Sequence, residues 1–89
     1  MHAVVVDVRI VDQDAAHQML RERVVPMVSG APGFVTGVWL EPEDGQGHSI
    51  AVFESEEQAQ AMIDQMKQNP PNPAVEIVGA SLRGVAEQA

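Results

Sequence analysis

The sequence predicts an α+β domain in which two helices cover one face of a four-stranded antiparallel sheet. Three observations carry this prediction. An apolar residue recurs at every second position near the N-terminus, two later segments carry apolar residues at helical spacing, and turn-forming residues separate these segments. The chain has 89 residues, which is the length of one small domain spanning residues 1–89.

The first half of the chain predicts a strand, a helix and a second strand. Ala3 to Ile10 alternates as a strand does, with one aliphatic face made of Val4, Val6, Val8 and Ile10. A helix is expected over roughly residues 13–28, where Asp12 and Asp14 offer N-cap oxygens. Pro26 should kink its last turn or end it early. Phe34 to Leu40 is the second predicted strand.

The second half predicts a hairpin, a helix and a final strand. The polar, glycine-containing loop of residues 41–47 leads to a strand over residues 48–53. Ser55 and Gln58 form a capping box that opens the second helix. Its apolar stripe consists of Ala59, Met62, Ile63 and Met66. The proline-rich residues 69–73 end the helix, and residues 74–82 form the last strand. The order βαββαβ is ferredoxin-like.

Two helices leave the second face of such a sheet uncovered. Val5, Asp7 and Arg9 lie on that face of the first strand. Ala51, Phe53 and Trp39 join them if the second and third strands have the matching phase, and the alternative phase places them toward the helices. An apolar patch of that size indicates an interface. A second copy of the chain is therefore expected to cover it.

Composition excludes several classes of protein. The net charge is −8 with only five lysines and arginines, so binding to nucleic acid or to an anionic membrane surface is not expected. The absence of cysteine excludes disulfides and thiol chemistry. No closely spaced histidines indicate a metal site, and no cofactor is expected. No apolar run approaches the roughly 18 residues that span a bilayer, so we expect a cytoplasmic protein.

Short motifs give the chain a resemblance to a known superfamily. These motifs are Ala31–Phe34 (APGF), the hairpin after Leu40, and Phe53–Glu57 (FESEE). With them, the chain resembles the dimeric α/β-barrel superfamily, and within it the antibiotic-biosynthesis-monooxygenase-like domains. The resemblance implies a homodimer whose sheets face each other in a barrel. It also implies a pocket between the sheet and the helices of each subunit.

The superfamily includes cofactor-free oxygenases, small isomerases and haem-degrading enzymes. The haem-degrading members place an asparagine in strand one, a tryptophan at the end of strand three and an iron-binding histidine on helix two. The matching positions here hold Asp7, Phe53 and Met62. Because the ligand histidine is absent, the resemblance favours a cofactor-independent monooxygenase or isomerase over a haem degrader.

The candidate catalytic residues are Asp7, Arg9 and His48. Asp7 or His48 would be the base, since imidazole titrates near neutral pH, and Arg9 would stabilise an oxyanion. The expected pocket for a small apolar or aromatic substrate is formed by Val5, Trp39, Phe53 and Met62. Two alternatives remain open: a ligand-binding or assembly protein without chemistry, and an accessory domain of a larger enzyme.

Overall fold

The computed structural model describes residues 1–68 and 73–89. The four strands are β1 (His2–Ile10), β2 (Phe34–Trp39), β3 (Gln46–Phe53) and β4 (Val75–Gly84). The helical segments are α1 (Gln13–Met19), a π-helical segment (Leu20–Val24), α2 (Val25–Ser29) and α3 (Glu56–Gln68). We call the continuous run from α1 through α2 the first helix.

The strands form one antiparallel sheet in the order β2-β3-β1-β4. β1 pairs with β3 on one side and β4 on the other, so the N-terminal strand lies at the centre of the sheet. β2 and β4 are the edge strands. The predicted ferredoxin-like α+β class and the order βαββαβ are confirmed.

The hairpin between β2 and β3 closes with a two-residue turn. Asp44 and Gly45 both have positive φ, at 52° and 76°, and Glu43 and Gln46 exchange backbone hydrogen bonds across them. An Asp-Gly pair is favoured at such a turn because both residues tolerate left-handed backbone angles. This turn lets β3 begin at Gln46, two residues before the predicted start.

The first helix extends past Pro26 instead of ending early. The Asp12 side chain accepts a hydrogen bond of 3.1 Å from the Ala15 backbone N–H at its start. Farther along, the Val25 N–H donates to the Leu20 carbonyl five residues back. The resulting π-helical turn directly precedes Pro26, which has no N–H to donate. The helix therefore widens at this point and continues to Ser29.

The hydrophobic core lies between the sheet and the helices. The buried residues that form it are Val4, Val6, Val28, Ala51, Phe53, Ala59, Met62 and Ile63. The predicted apolar stripe of α3 packs here, and Ser55 caps that helix by accepting a 3.2 Å hydrogen bond from the Gln58 N–H. Phe53 is 0% exposed, and Phe34 meets it edge to face at 6.0 Å between ring centroids.

The position of Phe53 corrects the phase expected for β2 and β3. Ala51 and Phe53 belong to the core, and Trp39 packs against it, so the placement of these three residues on the uncovered face was wrong. The strand register explains this correction. Ala51 lies opposite Val4, and Trp39 lies opposite Ser49, which in turn lies opposite Val6. Val4 and Val6 both belong to the core. Cross-strand partners share a face of the sheet.

The last strand runs from Val75 to Gly84, two residues beyond its predicted end. The Val85 N–H then donates 3.0 Å to the Met1 carbonyl. Residues 69–72, most of the segment predicted to end the second helix, lie outside the described residues. Within residues 1–68 and 73–89, none of the helices is long and apolar enough to cross a bilayer.

Replacing Phe53 with alanine is expected to destabilise the fold by about 3–5 kcal/mol, since it empties the centre of the core. Urea unfolding followed by circular dichroism measures this loss. The matched control is Val11→Ala, because Val11 is 67% exposed and surface truncations stay within about 0.5 kcal/mol. Equal losses in both variants would contradict the core assignment.

Candidate functional site

The uncovered face of the sheet holds a histidine–carboxylate contact. Asp7 on β1 lies directly opposite His48 on β3, and Nδ1 of His48 is 2.6 Å from Oδ1 of Asp7. Both side chains are 52% exposed. A carboxylate that orients an imidazole is the arrangement used in general base catalysis. It is equally an ordinary surface pair, and exposed pairs of this kind contribute little to stability.

A second charged pair and an apolar row share this face, which we call the open face. Arg9 on β1 forms an ion pair with Glu76 on β4. Beside the charges, Ile50 of β3 lies opposite both Val5 and Val38, and Val38 and Ile50 are 52% and 46% exposed. The apolar patch expected on the open face therefore contains Val5. Its other members are Val38 and Ile50 instead of Ala51, Phe53 and Trp39.

The remaining predicted site residues lie on the other side of the sheet. Phe53 and Met62 are in the core, with 0% and 3% exposure. The Trp39 ring lies over Gly37, where an added Cβ would come within 2.8 Å of the ring. The structure thus brings Asp7, His48 and Arg9 onto one face with Val5, and it separates them by the sheet from Trp39, Phe53 and Met62.

An apolar groove of about 290 Å³ lies between α3 and β4. Ile63, Met66 and Lys67 line it from the helix, and Ile77, Val78, Gly79 and Ala80 line it from the strand. The register between β1 and β4 shifts after Asp7, so that Val78 has no residue opposite it on β1. This bulge at an edge strand leaves Ile77 and Val78 52% and 68% exposed.

The sequence does not predict this groove. Its pattern assigns Met66 to the apolar stripe of the second helix, and it assigns Ile77 and Val78 to an ordinary strand. The only local indication is the run of consecutive aliphatic residues in β4, Ile77 and Val78, which breaks the alternation expected of a strand with one covered face. The groove arises from the bulge, and a bulge depends on pairing with β1.

A second cavity is much smaller than the groove. A cavity of about 90 Å³ beside Pro32, Gln58 and Met62 is far below the 300–1,000 Å³ that is typical of ligand sites. In the part of the chain that the structure describes, no three histidine, aspartate or glutamate side chains are grouped so that they could hold a metal ion. Of these two cavities, the groove is the larger, and only its volume approaches the range of ligand sites.

No family model matches this chain, and no curated protein matches it. Several solved structures match it. A structure of MhuD, a haem degrader from Mycobacterium tuberculosis with two haems in its active site, is 26% identical with a TM-score of 0.50, and the match covers 97% of this chain and 98% of that one. A substituted MhuD with two manganese protoporphyrin IX molecules per active site is 20% identical with a TM-score of 0.65, covering 100% and 98%.

These similarities extend over whole chains and show that the fold is shared. They support the resemblance to the dimeric α/β-barrel superfamily, with its monooxygenase-like domains. At the groove, however, the described side chains offer no imidazole to a haem iron. The thioether of Met66 and the amine of Lys67 are the only side-chain groups there that could approach a metal. The groove residues therefore do not fit histidine-ligated haem.

The contact between Asp7 and His48 is expected to contribute about 0.2–1 kcal/mol to stability, the range for exposed ion pairs. A double-mutant cycle with Asp7→Ala and His48→Ala measures it, in urea unfolding at a pH where imidazole is protonated. The control cycle pairs Asp7→Ala with His17→Ala, since His17 is exposed on α1. The control should be additive, and additivity in both cycles would show that the 2.6 Å contact contributes nothing.

Proposed function

We propose that this protein binds a small apolar or aromatic molecule in the groove between α3 and β4, as a homodimer assembled through the open faces of two sheets. The groove itself supports this proposal most directly, because apolar side chains line it on both sides and Ile77 and Val78 on the strand side are exposed. Its volume of about 290 Å³ lies at the lower limit for ligand sites. A groove between sheet and helix is also where the superfamily resemblance places the pocket.

The composition of the open face supports assembly of two copies. Val38 and Ile50 are exposed there, and a monomer of this size would leave them in water. A domain of 89 residues without disulfides buries a limited core, so it gains stability when a second subunit covers apolar surface. A two-fold axis would let the same patch serve both partners.

Monooxygenase or isomerase chemistry is the narrower form of this proposal. The groove offers only Lys67 as a titratable group, whereas Asp7 and His48 lie across the sheet on the open face. A substrate in the groove would therefore meet binding groups rather than the predicted base. Asp7, His48 and Arg9 could act on a substrate held between the two sheets of a dimer, and their catalytic role remains a prediction.

Haem binding is the second candidate, favoured by the whole-chain likeness to MhuD structures that hold haem or manganese protoporphyrin. An open groove with apolar walls can accept the edge of a porphyrin. Without a histidine in the groove, binding would depend on contacts to the porphyrin rather than on ligation of its iron by imidazole. This makes haem a ligand to test and leaves haem degradation without a supporting residue.

Filling the groove is expected to weaken binding of an apolar ligand. The variant Ala80→Trp places an indole among the lining residues, and the methyl ester of 1-pyrenebutyric acid is a neutral apolar probe whose fluorescence reports binding. The wild type should bind it and Ala80→Trp should weaken binding more than tenfold, about 1.4 kcal/mol. The control Ala86→Trp adds the same side chain to the exposed C-terminal tail. Absence of wild-type binding, or equal binding by all three proteins, overturns the groove assignment.

Titration of the same three proteins with haemin, monitored by absorbance, tests whether haem binds in the groove. Saturable binding that Ala80→Trp loses and Ala86→Trp keeps would place haem in the groove. Binding that both variants keep would put haem elsewhere on the surface, and absence of binding would remove this candidate.

Placing a charge on the open face is expected to dissociate the dimer. Native mass spectrometry at micromolar concentration should find a dimer for the wild type and a monomer for Ile50→Glu, because burying an unpaired carboxylate is costly. The control Val11→Glu changes a residue that is 67% exposed and lies outside the sheet, so it should remain dimeric. A monomeric wild type, or a dimeric and folded Ile50→Glu, contradicts assembly through this face.

A further inference from the structure

We propose that the ligand of the groove carries a carboxylate, and that Lys67 recognises it. This inference rests on the proposed function, because it names the chemical class of the molecule that the groove would bind. The ligand is then amphipathic, with an apolar body against the groove wall and an anionic group at the end of α3.

The composition of the groove gives the first argument. Six of its seven lining residues are apolar or glycine, and Lys67 is the only charged one. No ion pair joins Lys67 to a carboxylate among the described residues, where the ion pairs are His2–Glu56, Arg9–Glu76 and His48–Asp7. An ammonium group beside an apolar wall can bind an anion without breaking an existing pair.

The charge of the whole protein gives the second argument. With a net charge of −8, the protein repels anions in general, so a carboxylate is favoured only close to a cation. The other four cations are elsewhere: Arg9 pairs with Glu76 on the open face, and Arg21, Arg23 and Arg83 are not among the groove residues. Lys67 is thus the cation that could orient an acid in the groove.

A competing role for Lys67 follows from its place in the last turn of α3. A cation there stabilises the negative end of the helix dipole. This role requires the charge and no ligand. The two roles differ in what they predict, because helix stabilisation acts equally on empty protein and on protein with any ligand.

The carboxylate could belong to an aromatic acid, a fatty acid or the propionate of a tetrapyrrole. All three combine an apolar body with an anionic group, and the groove distinguishes them by shape and size rather than by charge. The chemistry that Lys67 would recognise is common to them, namely a carboxylate within reach of an ammonium group.

The test compares 1-pyrenebutyric acid with its methyl ester, which lacks the negative charge and carries one additional methyl group. The wild type should bind the acid more tightly than the ester, by roughly two- to fivefold, the range that partly exposed ion pairs give. In Lys67→Met, whose apolar side chain has a similar length, the preference for the acid over the ester should vanish, and because both affinities are measured on the same variant, their ratio is independent of any change in the groove wall. Lys67→Arg should retain the preference, and added salt should reduce it in the wild type.

The outcomes separate the two proposals. If the ester does not bind to the wild type, the proposed function fails. If the ester binds and the acid shows no preference, or if Lys67→Met keeps the preference, the carboxylate inference fails while the groove remains. Replacing the pyrene acid with palmitic acid and with haemin, each competing against the ester probe, then distinguishes the three sources of the carboxylate.

Discussion

The phase of β3 against β1 is the constraint on which the rest of this structure depends. Successive side chains of a strand point to opposite faces, so a shift of one residue would exchange the two faces completely. Phe53 fixes the choice, since it is the largest side chain with no exposed surface and it packs toward α3. Once Phe53 faces the helices, Ala51 faces them too, and Ile50 and His48 must face outward.

This single choice of phase determines the chemistry available on each side. The outward face acquires the contact of His48 with Asp7 together with exposed aliphatic side chains, a mixture suited to contact with another sheet. The helix side acquires the three aromatic residues with Met27, Met62 and Met66, and Lys67 is the one titratable group among the groove residues. The groove and the contact of Asp7 with His48 therefore lie on opposite sides of the sheet, so the groove offers apolar contacts without the predicted base.

The groove depends on a second, local feature, the irregular pairing of β4 with β1. Because β4 is an edge strand, a bulge there disrupts only one ladder of hydrogen bonds. Val78 gains no partner on β1, and it projects with Ile77 beside the C-terminal half of α3. A regular β4 would alternate between the two faces and would present fewer aliphatic side chains to this gap.

The sequence by itself determined the class of the fold, the order of the elements and the inward face of the first strand and of α3. These follow from local rules: alternation in β1, the spacing of Ala59, Met62, Ile63 and Met66, the Asp12 and Ser55 caps, and the Asp-Gly turn. Tertiary structure alone decided the faces of Trp39 and Phe53, because a short strand with apolar residues on both sides fits either phase. It also decided the contact of Asp7 with His48, 41 positions apart, and the groove, since register and bulges arise from pairing between distant segments.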